Sequence, residues 1–127
     1  MAQFERYFTV EEANATLPEL RELLQQVRAL RDRVVVEWDE AQPVLRAAVM
    51  NGGGKEANPY LDDVRRINVR LRRMAEIGVQ LKDLDEGLID FPAWRDDREI
   101  FLCWREEEEE ITTWHELDTG YRGRQPL

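Results

Sequence analysis

The residues able to do chemistry crowd into one stretch. Gly78 to Leu117, GVQLKDLDEGLIDFPAWRDDREIFLCWREEEEEITTWHEL, holds the only histidine, His115, the only cysteine, Cys103, and three of the four tryptophans. His115 has Glu116 beside it and Asp90 on a nearby strand. A carboxylate that orients an imidazole makes an acid/base group, so His115, Asp90 and Glu116 are the candidate catalytic residues. Cys103 with His115 would form a nucleophilic pair. The thiol, however, falls mid-strand between Leu102 and Trp104, where a cysteine is usually buried and unreactive. After His115 come Arg122 and Arg124, with Gly120 and Gly123 allowing close backbone approach. Together with Arg95 and His115 they make the candidate anion site, since guanidinium groups grip carboxylate or phosphate through two parallel hydrogen bonds. The competing reading pairs these arginines with Asp90 or with the acids of Glu106–Glu110. That five-acid run invites a hard cation, but consecutive residues point apart and no glycine supplies the sharp bend of a calcium loop. A solvated hairpin tip that discourages edge-to-edge pairing is the better reading. No metal ligand and no cofactor is named by these patterns, and metal binding ranks third among the functional readings.

The elements that must hold these residues change character near Gly78. Past it, Val79, Leu81 and the segment Leu88 to Phe91 read as short strands, the second closed by Pro92. Arg95-Asp96-Asp97-Arg98 is a tight polar turn. Ile100 to Trp104 is apolar on both alternating faces, as in a central strand covered on two sides. Ile111 to His115 is the next strand. The expected form is an antiparallel meander with helices against one face. The tryptophans belong to its core, and their indole donors need partners.

Before Gly78 the chain is helical. Thr9-Val10-Glu11-Glu12 has capping-box spacing, with Phe8 placed to staple onto Ala13. Leu17, Leu20, Leu24, Val27, Val34, Trp38, Ala41, Leu45 and Ala48 then alternate at three and four residues, broken only by Arg31 and widened by Leu23 and Leu30. Pro43 should kink or end this helix, which is expected to run to about Ala41 and continue for about two turns after the kink. Asn51-Gly52-Gly53-Gly54 starts a connecting loop and lacks the lysine and hydroxyl placement of a phosphate loop. Asn58-Pro59 opens a second helix with Tyr60, Val64, Ile67, Leu71 and Met74 on its seam, ending at Gly78. Arg65, Arg66, Arg70, Arg72 and Arg73 make it the most basic segment, best read as a solvated face pairing with the acid-rich first helix. Two antiparallel helices of unequal length leave part of the longer apolar stripe uncovered, which predicts a homodimer through the first helix.

The whole chain bounds these readings. Its 127 residues suit one domain, made of a helical hairpin (1–78), a meander (79–117) and a Gly/Arg tail (118–127). Eighteen Lys and Arg against 27 Asp and Glu give a net charge of −9, which argues against nucleic acid and anionic membranes. Mean hydropathy is −0.62, no apolar run spans a bilayer, and the start MAQFERYFTVEE lacks the apolar centre of a signal peptide. One cysteine allows no intrachain disulfide and no paired-cysteine metal site. The expected location is the cytoplasm.

Three segments carry a resemblance: YFTVEEANATLPEL, GVQLKDLDEGLIDFP and FLCWREEEEEITTWHELDTGYRGRQPL. Over nearly its whole length the chain resembles the bacterial family of domain of unknown function 2203. In that family the turn after Arg95 often carries Asp-Gly, and the segment after Leu-Cys-Trp often reads with Gly-Glu. Here Asp97 and Glu107 occupy about the glycine places, so the turn types are expected to differ. The resemblance implies a small cytosolic prokaryotic protein and no particular activity. Residue patterns and charge together predict an α+β protein, a long antiparallel helical hairpin followed by a three- to four-stranded antiparallel β-meander. The leading functional reading is a non-catalytic binding or assembly module for a protein partner or small anion. The alternative is a small enzyme with His115 as acid/base, which requires His115 to open into a pocket.

Overall fold

A computed structural model describes residues 2–50 and 59–127, with the side chains of residues 39, 41 and 44–50 excepted. Two helices precede a sheet: α1 (Val10–Met50) and α2 (Pro59–Ile77), then β1 (Gln80–Asp83), β2 (Leu88–Arg95), β3 (Arg98–Arg105), β4 (Thr113–Glu116) and β5 (Gln125–Pro126). A short 3-10 helix, Tyr121–Gly123, lies between β4 and β5. The strands follow the order β1-β2-β3-β4-β5 and each neighbour is antiparallel, so the sheet is a meander. The fold is α+β, a helical hairpin followed by this sheet. The strand count is five rather than three to four. The extra strand comes from the tail, where Gln125 and Pro126 pair with β4 instead of trailing off.

The helix ends are built as their residues dictate. Glu12 N–H donates to Thr9 Oγ1 at 3.1 Å while Thr9 N–H donates to Glu12 Oε1 at 3.0 Å, both halves of a capping box. Phe8 and Ala13 are both buried, as a staple requires. At the end of α2, Gly78 adopts φ of 103°, which glycine tolerates without a Cβ penalty. Gly78 N–H then reaches the Ala75 carbonyl at 3.1 Å and Val79 N–H the Met74 carbonyl at 3.3 Å. Those bonds cap the Met74 and Ala75 carbonyls, Arg6 Nη1 donates to the Ile77 carbonyl at 2.7 Å, and Met74 and Val79 bury their side chains there. Helix α1 runs through Pro43 to Met50, so the two turns expected beyond the proline form as part of one helix. The glycine-rich loop and the Asn58 cap lie outside the described residues.

Two compact units emerge, Met1–Leu24 with Arg73–Leu127, and Gln25–Arg72. The first carries the sheet. Its core joins Leu17, Leu20 and Leu24 of α1 to Ile89, Phe91, Leu102 and Trp104 of the sheet, all essentially inaccessible to water. Phe8 meets Phe91 edge-on at 5.3 Å, and the Arg21 guanidinium lies over the Trp104 ring at 5.1 Å. β3 is buried from Glu99 to Trp104, as a two-faced central strand should be. β2 does not close at Pro92 but continues to Arg95. The proline is tolerated because β1 pairs with β2 only as far as Asp90, so no ladder bond is lost at Pro92. Its carbonyl instead accepts Phe8 N–H at 2.8 Å, tying the N-terminal segment to the strand.

The second unit is the remaining hairpin arm. Arg33 pairs with Asp63 at 3.0 Å, Arg70 Nε donates to Gln26 Oε1 at 2.8 Å, and Trp38 packs on Tyr60 at 5.2 Å. These partners run in opposite directions along the two helices, which fixes the antiparallel pairing. Val27 and Leu30 are buried, but the seam expected from spacing gives out beyond them. Trp38 and Leu71 are exposed, and Asp63 takes a fully buried place, held by Arg66 at 2.7 Å and by Arg33. The basic face pairs partly within its own helix, Arg65 with Asp62 and Arg66 with Asp63, rather than with the first helix as expected; Arg73 does reach Glu19 of α1 in the first unit.

Candidate functional site

Strand register brings three reactive side chains together. Asp90 of β2 is opposite Cys103 of β3, and Phe101 of β3 is opposite His115 of β4. Directly opposed residues share a face, and residues two apart on a strand share it too. Asp90, Phe101, Cys103 and His115 therefore all project from one side of the sheet. The ligand-type atoms of Asp90, Cys103 and His115 lie within 4.8 Å of one another. All three side chains are buried, His115 with only 2% of its surface exposed. The Phe101 ring covers the imidazole at 5.5 Å and is itself covered by Phe4 at 5.4 Å.

The histidine is held at both nitrogens. Nδ1 is 2.7 Å from the Glu116 carbonyl oxygen, and Nε2 is 3.0 Å from Asp90 Oδ2. A carbonyl can only accept, so Nδ1 carries a proton and donates it. Burial works to neutralise the ring, but the Asp90 carboxylate and the Glu116 carbonyl outweigh it and raise the His115 pKa above the ordinary histidine value. When both nitrogens carry protons the pair is a buried imidazolium–carboxylate. The thiol beside it is inert: burial first, and then the Asp90 charge, push Cys103 up to about 12. A nucleophilic thiolate at neutral pH is incompatible with that environment. Asp90 Oδ1 is buried and has no hydrogen-bond partner.

The other sequence candidates are dispersed. Glu116 supplies its carbonyl to His115 while its carboxylate binds Arg98 at 2.6 Å. Arg95 lies over the Trp114 ring at 4.6 Å. Arg124 donates from Nη2 to both Glu108 carboxylate oxygens, at 2.7 and 2.8 Å, and from Nε to Thr113 Oγ1 at 2.9 Å. Arg122 lines a cleft of about 330 Å³ with Asp83, Glu86, Leu88, Arg105, Thr119 and Tyr121. Arg105 in that cleft is already paired with Glu86 and with Glu107. The structure thus joins Asp90 to His115 and gives Arg95, Arg122 and Arg124 separate surroundings.

One organising residue escaped the reading of residue types. Glu108 is not simply part of a solvated tip. Its carboxylate accepts Arg105 N–H at 2.7 Å besides binding Arg124, and its carbonyl accepts Trp104 Nε1–H at 2.9 Å and Arg21 Nη2–H at 2.7 Å. Five consecutive glutamates conceal which one turns inward. The available signal was the pairing of tail arginines with this run, which Arg124 makes. Of the three tryptophans, Trp104 and Trp114 are core while Trp94 is half exposed against Tyr7, and Trp114 Nε1 has no hydrogen-bond partner.

Among the described residues no helix is long and apolar enough to cross a membrane. Comparison with curated proteins and with solved structures finds no match. Residues 6–127, essentially the whole chain, match the model of the family described as "Uncharacterized conserved protein (DUF2203)", and the chain belongs to that family.

Proposed function

We propose that this protein is a cytoplasmic, non-catalytic assembly module that forms a homodimer through its hairpin arm. The observation that carries the reading is the exposed apolar surface of that arm. Val35, Val36 and Trp38 on α1, with Leu61, Val69 and Leu71 on α2, are all exposed, Val35 by 63% and Val69 by 60%. Val35 and Trp38 fall on one side of α1, three residues apart, and Leu61 and Val69 on one side of α2, eight apart. Exposed apolar side chains at helical spacing on both helices of one arm support an interaction surface there. Charge favours a second copy as the occupant. Residues 25–72 hold nine Lys and Arg against seven Asp and Glu, whereas the rest of the chain holds nine against twenty. Two copies repel through their acidic parts, and the arm is the surface on which that repulsion is weakest.

Sedimentation of the full chain at micromolar concentration tests this. A mass near twice 15.0 kDa is expected for wild type and a monomer for Val35→Glu/Val69→Glu, which alters only exposed positions. A wild-type monomer across the micromolar range would sink the proposal. The runner-up enzyme has half its geometry: His115 holds its carboxylate, but the ring is sealed and lines neither described cleft. The anion reading keeps the cleft beside Arg122, whose acids Asp83 and Glu86 offset the arginines.

A further inference from the structure

We propose that Asp90, Cys103 and His115 form a closed structural site for a zinc-class divalent cation. Three observations on β2, β3 and β4 converge. First, the Nδ1–H of His115 is committed to the Glu116 carbonyl at 2.7 Å. Ligating histidines are oriented in this way, with the other nitrogen left to present its lone pair. In a neutral ring that lone pair, on Nε2, faces the carboxylate oxygen of Asp90 at 3.0 Å, two acceptors that a proton or a metal cation must bridge. Second, Asp90 Oδ1 is buried without a hydrogen-bond partner. A pure imidazolium–carboxylate pair gives that oxygen nothing to do, whereas a cation can be bound by both carboxylate oxygens. Third, the Cys103 sulfur is part of the same cluster, with all three ligand atoms within 4.8 Å.

Distances and donor chemistry select the ion. Zinc bonds of ~2.0 Å to nitrogen or oxygen and ~2.3 Å to sulfur separate tetrahedral ligand atoms by roughly 3.3–3.7 Å. That spacing lies between the 3.0 Å histidine–aspartate contact and the 4.8 Å limit of the cluster. Thiolate with imidazole suits zinc and discriminates against calcium and magnesium, which prefer oxygen. Nε2, Sγ and the Asp90 carboxylate supply three protein ligands, the carboxylate able to bind through one or both oxygens, and all three residues are buried. Binding displaces the thiol proton and the Nε2 proton to solvent. One dication, one thiolate and one carboxylate then sum to zero, which a buried site demands. With both oxygens bound the site has no open position, holds three strands together and does not activate water.

The test uses the full chain, unfolded with chelator and refolded with cobalt(II). One cobalt per chain with a thiolate-to-cobalt charge-transfer band in the near ultraviolet is expected. Cys103→Ser should lose the band, and zinc should raise the melting temperature of wild type by roughly 10 °C over chelator-treated protein. If Cys103→Ser does not fold, the wild-type spectrum alone decides. Cobalt bound without the band places the ion elsewhere and overturns the proposal. A wild type that binds no stoichiometric cobalt or zinc and melts identically with and without chelator overturns it as well.

Discussion

The two units of this protein are stabilised by different physics. The sheet unit is closed by apolar burial: Phe91, Ile89, Leu102 and Trp104 are sealed, and even its polar residues Asp90, Glu99 and His115 are inside. Among its described residues the arm has few buried side chains and holds charged pairs around Asp63, while valines, leucines and Trp38 face water. Asp63 is buried beneath half-exposed arginines, so the gain from its pairs is largely offset by the cost of desolvating the carboxylate, unlike the burial of an aromatic ring. The difference teaches where each property resides. The sheet unit carries the sealed core, and the arm leaves apolar side chains at its surface, where the proposed second copy would cover them.

Substitutions that separate the units should show the largest effects. Phe91→Ala, which removes a fully buried ring, is expected to destabilise by about 3–5 kcal/mol. Val69→Ala on the arm should change monomer stability by less than about 0.5 kcal/mol. Urea denaturation of both variants, at a concentration where the chain is monomeric, measures that ratio. Equal losses would erase the distinction between the units.

A pair of glutamates sharpens the comparison by sign. In the sheet unit the Tyr7 hydroxyl, aided by Gln3 N–H, holds Glu99 below the usual glutamate range against the effect of burial. A depressed folded pKa stabilises above the unfolded value, and that contribution is lost as pH falls through the folded one. In the arm, burial and then the neighbouring Asp63 raise Glu37. A raised acid favours folding at low pH and loses that contribution as pH rises between the unfolded and folded values. Glu99→Gln should therefore destabilise at pH 7 and converge on wild type in acid, while Glu37→Gln should stabilise at pH 7. Denaturation midpoints measured from acid to neutral pH check both, and like signs at neutral pH would contradict the assignment.

The smallest effect concerns the β2–β3 turn. Asp96 and Asp97 both have positive φ, 50° and 62°, the backbone of a two-residue type I′ hairpin turn. Asp97→Gly should stabilise by up to about 1 kcal/mol, because glycine accepts that region without a side-chain clash. An unchanged or lowered melting temperature would show that the Asp97 side chain compensates for its strain.

The legible parts of the fold were those governed by local rules. The Thr9–Glu12 cap, the Gly78 helix end and the alternation of β3 each follow from residues near in sequence, and each formed. Asp97 stands where the resemblance expects glycine, and the two-residue hairpin turn between Arg95 and Arg98 holds it at positive φ. Pro92 misled, since its fit depends on how far β1 extends along its neighbour. Helical spacing also put Leu71 on the seam, where burial of Asp63 with its arginines took precedence. The site was half legible. His115 and Asp90 could be named from type and strand assignment, but placing Cys103 as their third member needed the register of three strands. Likewise, no pattern in five glutamates distinguishes Glu108 from its neighbours.

Hydrogen exchange of the wild-type chain at two widely separated concentrations tests the central claim most directly. Protection across Val35–Trp38 and Leu61–Leu71 should rise with concentration while β2 and β3 stay unchanged. Arm exchange that is independent of concentration, or protection that rises in the sheet instead, would contradict the arm as the surface of assembly.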